Sequence, residues 1–143
     1  MDTLAGLLAL LVAVGAATAL GLWLRRSGRR LSDTRRVSTD EVLAPDDLGA
    51  PLGERATLVQ FSSAFCQPCR ATRQVLDDVS RTVDGVAHIE IDAESHLDLV
   101  RRLDVRRTPT VLVLDAAGRV VRRASGQPRM VDVIAALGAA VEA

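Results

Sequence analysis

The apolar positions of this chain fall into stretches of different period, and each period predicts a different kind of element. From Thr3 to Leu24 there is no charged residue, and these 22 residues, at about 1.5 Å each, are long enough to cross a bilayer core as a helix. Residues 25–54 are polar and irregular, and Pro45, Gly49, Pro51 and Gly53 interrupt any long helix there. Ser38-Thr39-Asp40-Glu41 offers a cap for one short turn. From Thr57 the pattern becomes regular. Thr57–Ser62 reads as a mostly buried strand, and Thr72, Val75, Leu76, Val79 and Val83 then mark one face of a helix that Asp84-Gly85 ends. Ala87–Asp92 alternates as a strand does, and Leu97, Leu99, Val100 and Leu103 predict a second, short helix. Thr110–Leu114 is a buried strand, Ala116-Ala117-Gly118 a turn, and Val120–Ala124 a further strand. Gly126 and Pro128 introduce a last helix with Met130, Val133, Ile134, Leu137 and Val141 on its inner face. The order βαβαββα is an α/β arrangement: a crossover helix favours parallel pairing of the first two strands, and the last two form a hairpin.

Three readings compete for residues 1–24: a membrane-spanning helix, a cleaved signal peptide, or a buried helix of a globular domain. A small domain has no means of surrounding a helix that is apolar on every face. Ala17-Thr18-Ala19 fits a cleavage pattern, but no Lys or Arg precedes the apolar run, and the run continues past Ala19 into an arginine cluster. The uncleaved span is therefore the expectation. Residues 25–36 hold six arginines against Asp33, a net +5, while residues 37–143 hold twelve arginines against sixteen acidic residues, a net −4. The positive flank places the C-terminal side in the cytoplasm, where a dithiol is catalytic or sensing rather than structural. The domain itself carries no basic excess, and nothing in it suggests nucleic-acid binding. Ala5, Ala9, Ala13, Ala17 and Gly21 form a small-residue stripe of the kind that permits helix–helix pairing, though alanine is abundant throughout the chain.

The candidate chemistry is concentrated in Cys66-Gln67-Pro68-Cys69, between the strand at Thr57 and the helix that follows. Thiols at a helix N-terminus meet unpaired backbone N–H groups and the positive end of the helix dipole, which together stabilise a thiolate. Cys66, on the exposed side of the turn, is the expected nucleophile, and Cys69, one turn further in, the residue that resolves a mixed disulfide. Pro68 fits the first helical turn, where its missing N–H costs nothing. The alternatives are metal ligation and a structural disulfide. Zinc needs two further ligands, and only His88 and His96 are available, at separations unlike the common zinc patterns. A disulfide closing so short a loop removes little chain entropy. Neither a metal nor a cofactor site is expected.

Strand, Cys-x-Pro-Cys at the start of a helix, and Thr108-Pro109-Thr110 before a buried strand together resemble the thioredoxin family, over about residues 55–143. The resemblance implies a thioredoxin-like fold, a central mixed sheet flanked by helices. It also implies a cis Thr108–Pro109 bond against the dithiol, and a substrate groove lined by Phe65, Gln67, Pro68, Thr108, Pro109 and the Ser125-Gly126 stretch. The chain departs from the family at four places. Phe65 and Gln67 stand where the family carries Trp and Gly, Gln60 matches the family's buried Asp, and His88 matches the Lys that accompanies it. Gln60 cannot take up a proton at ordinary pH, whereas a histidine can. His88, or a water it orders, is thus a candidate for proton transfer with Cys69, against the alternative of a histidine packed on a strand with no proton role.

The sequence therefore leads to a transmembrane helix at 1–24, a basic juxtamembrane tether and docking segment at 25–54, and a redox domain at 55–143. The expected activity is disulfide reduction in partner proteins by a single-pass membrane protein whose domain lies on the cytoplasmic side. A reductase or another dithiol protein supplies the electrons. Two alternatives stand beside it: an extracytoplasmic reductase of apocytochrome or envelope disulfides, and a non-catalytic redox-sensing adaptor of a membrane partner.

Overall fold

The computed structural model describes residues 12–20 and 41–142. Residues 12–20 are helical. The rest of the expected span, the arginine cluster and the turn at Ser38–Asp40 lie outside the described residues. Among the described residues no helix is long and apolar enough to cross a membrane. The chain divides into residues 1–32 and residues 33–143.

The larger unit runs α1 (Pro45–Leu48), β1 (Ala56–Ser62), α2 (Gln67–Thr82), β2 (Val86–Asp92), α3 (Leu97–Arg102), β3 (Thr110–Asp115), β4 (Val120–Ser125) and α4 (Met130–Val141). The strands form one mixed sheet in the order β2-β1-β3-β4. β1 pairs parallel with β2, as the crossover through α2 requires, and antiparallel with β3, which pairs antiparallel with β4. The expected order is found from β1 onward.

Each face of the sheet has its own core. Val59, Phe61, Ile89, Ile91, Leu112 and Leu114 point to one side, against Leu43 and Leu48 and against Leu99 and Leu103 around α3. Ala56, Leu58, Val111 and Val113 point to the other, against Leu76 and Val79 of α2 and Val133, Ala136, Leu137 and Ala140 of α4. Period-two alternation along β1 sends every side chain into one core or the other, and the whole strand is buried. This central, two-sided burial is why Thr57–Ser62 shows no polar face in sequence.

One expectation is corrected here. Helix α4 buries Val133, Ala136, Leu137 and Ala140 and leaves Met130 and Ile134 42% and 50% exposed. Two stripes of helical spacing share Val133 and Leu137, and the one with alanines at its remaining positions faces inward because small side chains let the helix lie close on the sheet. Within the segment expected to be tether and docking, Pro45 begins a one-turn helix in which the Asp47 carboxylate accepts the Ala44 N–H at 2.8 Å. Leu43 is fully buried, a contribution of about 1.5–3 kcal/mol. Its N–H donates to the Gly118 carbonyl at 2.9 Å, and the Val120 N–H donates to that of Glu41 at 3.0 Å. Gly118 adopts φ +82, and a Cβ there would lie 2.3 Å from the Leu43 carbonyl oxygen, so glycine is needed for both the turn and the close approach.

Candidate active site

The site lies where β1, α2 and β3 meet at one end of the sheet. After β1 the chain turns through Ser63–Phe65 and enters α2 with Cys66 as its N-cap. Gln67 and Pro68 fill the first helical positions, and the Cys69 N–H, one of the donors that a helix start leaves unpaired, points at Cys66 Sγ at 3.2 Å. That donor is placed to stabilise negative charge on Cys66 and on no other sulfur. Cys66 and Cys69 are joined as a disulfide, with an S–S distance of 2.04 Å. Burial separates their roles. Cys69 is 2% exposed on the inner face of α2, while Cys66 is partly accessible and preceded by Phe65, which is 98% exposed.

The Thr108–Pro109 peptide is cis. Pro109 is buried, and its carbonyl accepts the Gly126 N–H at 2.7 Å, where Gly126 has φ +92. Thr108 Oγ1 lies 3.0 Å from Ser63 Oγ, a hydroxyl pair that ties the proline loop to the approach to the dithiol. Thr110 Oγ1 donates to the Arg107 carbonyl at 2.7 Å and closes the loop on itself. The residues named from sequence thus occupy one end of the fold: Gln67 and Pro68 are exposed on the first turn of α2, Thr108 is linked to Ser63, and Gly126 is linked to Pro109. The Ser63–Thr108 link left no signal in the sequence, because the two hydroxyls are 45 residues apart.

On the β2 side, a groove of about 500 Å³ is lined by Ser62, Ser63, Cys66, Cys69, Arg70 and Arg73 with Glu90 and Asp92. Arg73 grips Glu90 with two hydrogen bonds of 2.6 and 2.7 Å, and Ser62 Oγ donates to the same carboxylate at 2.7 Å. Burial alone raises the Glu90 carboxyl, but the hydrogen bonds from Arg73 and Ser62 outweigh it and hold the group below its usual value. A carboxyl that ionises more readily folded than unfolded contributes stability that is complete above the unfolded value near 4.5 and is lost as pH falls through the lower folded value. Glu90→Gln is accordingly expected to destabilise the domain at neutral pH and to flatten the acid limb of its stability. Urea midpoints measured between about pH 3 and 7 check this, and an unchanged slope below about pH 4.5 would show that the pair carries no linkage.

Gln60 and His88 occupy the layer between the sheet and α2. Gln60 is fully buried, and its Nε2 donates to the Cys69 carbonyl at 2.9 Å. The His88 side chain, 6% exposed, places Nδ1 2.6 Å from the Asp77 carboxylate. Asp77 lies eight residues beyond Cys69, about 12 Å further along the helix. The side chain the structure brings to the Cys69 carbonyl is therefore Gln60, while His88 pairs with Asp77 further down α2. Among the described residues no group of three or more His, Cys, Asp or Glu side chains has a metal-binding arrangement.

A buried sulfur behind an accessible one, with a backbone N–H aimed at the outer sulfur, is the arrangement of a thiol–disulfide exchange centre. The thioredoxin family profile matches residues 47–138. Thioredoxin C-2 of Corynebacterium nephridii is 30% identical over 100 residues, which cover 69% of this chain and 90% of that one. The human thioredoxin domain-containing protein 2 is 33% identical over 72 residues, 48% of this chain but only 13% of that protein. Among solved structures, a mutant thioredoxin from Halobacterium salinarum superposes with a TM-score of 0.57 at 20% identity, over 63% of this chain and 78% of that one. The chain belongs to the thioredoxin family, and its domain is a thiol–disulfide oxidoreductase with Cys66 and Cys69 as the redox pair.

Proposed function

We propose that this chain is a membrane-tethered disulfide reductase whose domain works on the cytoplasmic face upon disulfides of proteins at or near the membrane. Cys66, as the thiolate, attacks one sulfur of a partner disulfide and releases the other as a thiol. Cys69 then attacks Cys66 Sγ, so that the partner leaves with two electrons more and the domain is left as the Cys66–Cys69 disulfide. A reductase or another dithiol protein must restore the pair. Phe65, Gln67, Pro68, Thr108, Pro109 and Gly126 form the surface on which the partner segment lies. The observation that carries the chemical part is the Cys69 N–H directed at Cys66 Sγ. The tether is supported by the uncharged run Thr3–Leu24 and by the six arginines that follow it. Confinement to a surface raises the effective concentration for partners there.

The test combines capture with topology in intact cells. A Cys69→Ser chain is expected to remain in the membrane fraction, covalently bound to its partner through Cys66, and a reporter fused after Ala143 is expected to be active only in the cytoplasm. Recovery of the chain in the soluble fraction removes the tether, and a reporter active outside the cytoplasm reverses the orientation. Full retention of function by Cys69→Ser without capture of any partner favours the adaptor.

A further inference from the structure

The chain between α3 and β3 is fastened to β4 at both of its ends. At its start, α3 closes with Asp104 in the left-handed region, φ +47, where glycine is the usual residue. The Asp104 N–H donates to the Arg101 carbonyl at 3.2 Å and the Val105 N–H to that of Val100 at 2.9 Å, the crossed pair of bonds that ends a helix. Neither bond uses the carbonyls of Leu103 or Asp104. Arg123, two residues before the end of β4, takes both: its Nη1 donates to the Leu103 carbonyl at 2.6 Å and its Nη2 to that of Asp104 at 2.7 Å. At the other end of the connection, Arg107 Nη2 donates to the Ser125 carbonyl at 3.3 Å and the Gly126 N–H to that of Pro109. Leu103 and Val105 are buried in the core beside α3. Hydrophobic burial is non-directional, so it seats the loop on the sheet without fixing its path, whereas two directed bonds from a rigid fork do fix it.

We propose that Arg123 is a positioning residue for partner recognition: by holding the two carbonyls at the end of α3 it sets the path of residues 105–109, and with it the face that Thr108 and Pro109 present to the partner segment. The inference rests on the reading of Thr108, Pro109 and Gly126 as the partner surface. It gives a side chain of β4 control over how tightly a partner is held, and leaves the sulfur chemistry to the start of α2.

The experiment compares the pre-reduced full chain with its Arg123→Met variant, which keeps an aliphatic stem and removes the fork. Two disulfides are reduced over a range of concentrations: insulin, whose chain must lie on the partner surface, and dithiobis(nitrobenzoate), a small molecule that needs only Cys66. In the variant the half-saturating insulin concentration is expected to rise about tenfold, the weight of one hydrogen bond to a charged group, with the limiting rate and the reaction of the small disulfide unchanged. An unchanged half-saturation overturns the proposal, and so does an equal loss with both disulfides, which would place the effect at the sulfurs. Should Arg123→Met fold poorly, Asp104→Gly is added to it, since glycine takes the left-handed conformation without strain. Half-saturation is expected to stay high in the double variant. Its return to the wild-type value would mean that Arg123 serves stability alone, and the proposal falls. A wild-type chain that reduces the small disulfide yet never saturates with insulin would remove the partner surface itself and the proposal with it, a failure distinct from that of Arg123.

Discussion

Replacing Cys66 by serine is expected to reduce disulfide exchange by at least on the order of 10³-fold, the scale on which removal of a nucleophile acts. Cys69→Ser is expected to spare the first attack and stop at the mixed disulfide. The asymmetry follows from placement. Cys66 has the accessible sulfur and the N–H of Cys69 at 3.2 Å, whereas Cys69 is 2% exposed and reaches a partner only through Cys66. A serine hydroxyl at position 66 is not ionised at neutral pH and has no comparable nucleophilicity. Reduction of a model disulfide protein, followed by non-reducing electrophoresis after acid quench, reads both results at once. Accumulation of the mixed disulfide in Cys66→Ser rather than in Cys69→Ser would exchange the roles assigned to the two sulfurs.

The largest effect on stability is expected from Phe61→Ala, about 3–5 kcal/mol. Phe61 is fully buried, faces the core shared with Ile91, Leu99 and Leu112, and sits in register with Ile91 on one side and Thr110 on the other. Among the described residues no other aromatic side chain is buried in this core, which is built otherwise from Val, Leu and Ile, so the cavity left by truncation has only short neighbours to close it. For a domain of this size the midpoint of thermal unfolding falls by on the order of 15–30 °C. Phe65→Ala, at a site 98% exposed, provides the contrast: stability stays within about 0.5 kcal/mol. Scanning calorimetry distinguishes the two. A Phe61→Ala midpoint within a few degrees of wild type would mean that the sheet repacks around the loss.

Much of the domain was legible because its signals are local. The burial of β1, the Pro68 start of α2 and the glycine turns each depend on residues adjacent in the chain, whereas the cis Thr108–Pro109 bond is what the family resemblance implies. The α4 face was misread for a physical reason. Met130 and Ile134 are more hydrophobic than Ala136 and Ala140, but the distance between helix and sheet, which no local pattern encodes, selects the smaller side chains. The attachment of residues 41–43 leaves no local signal because their partners, Gly118 and Val120, lie more than seventy residues away.

The sequence by itself determined that two thiols sit at a helix start and that a proline loop follows about forty residues later. These follow from residue type and spacing, which act over a few bonds or one helical turn. Only the tertiary structure decided which side chains meet across the layers. Gln60 meets Cys69 and His88 meets Asp77 because the register of β1 and β2 under α2 sets those distances. Ser63 meets Thr108 because two loops converge at one end of the sheet. Contacts of that kind arise from packing between elements, and packing is a property of the assembled layers rather than of any one of them.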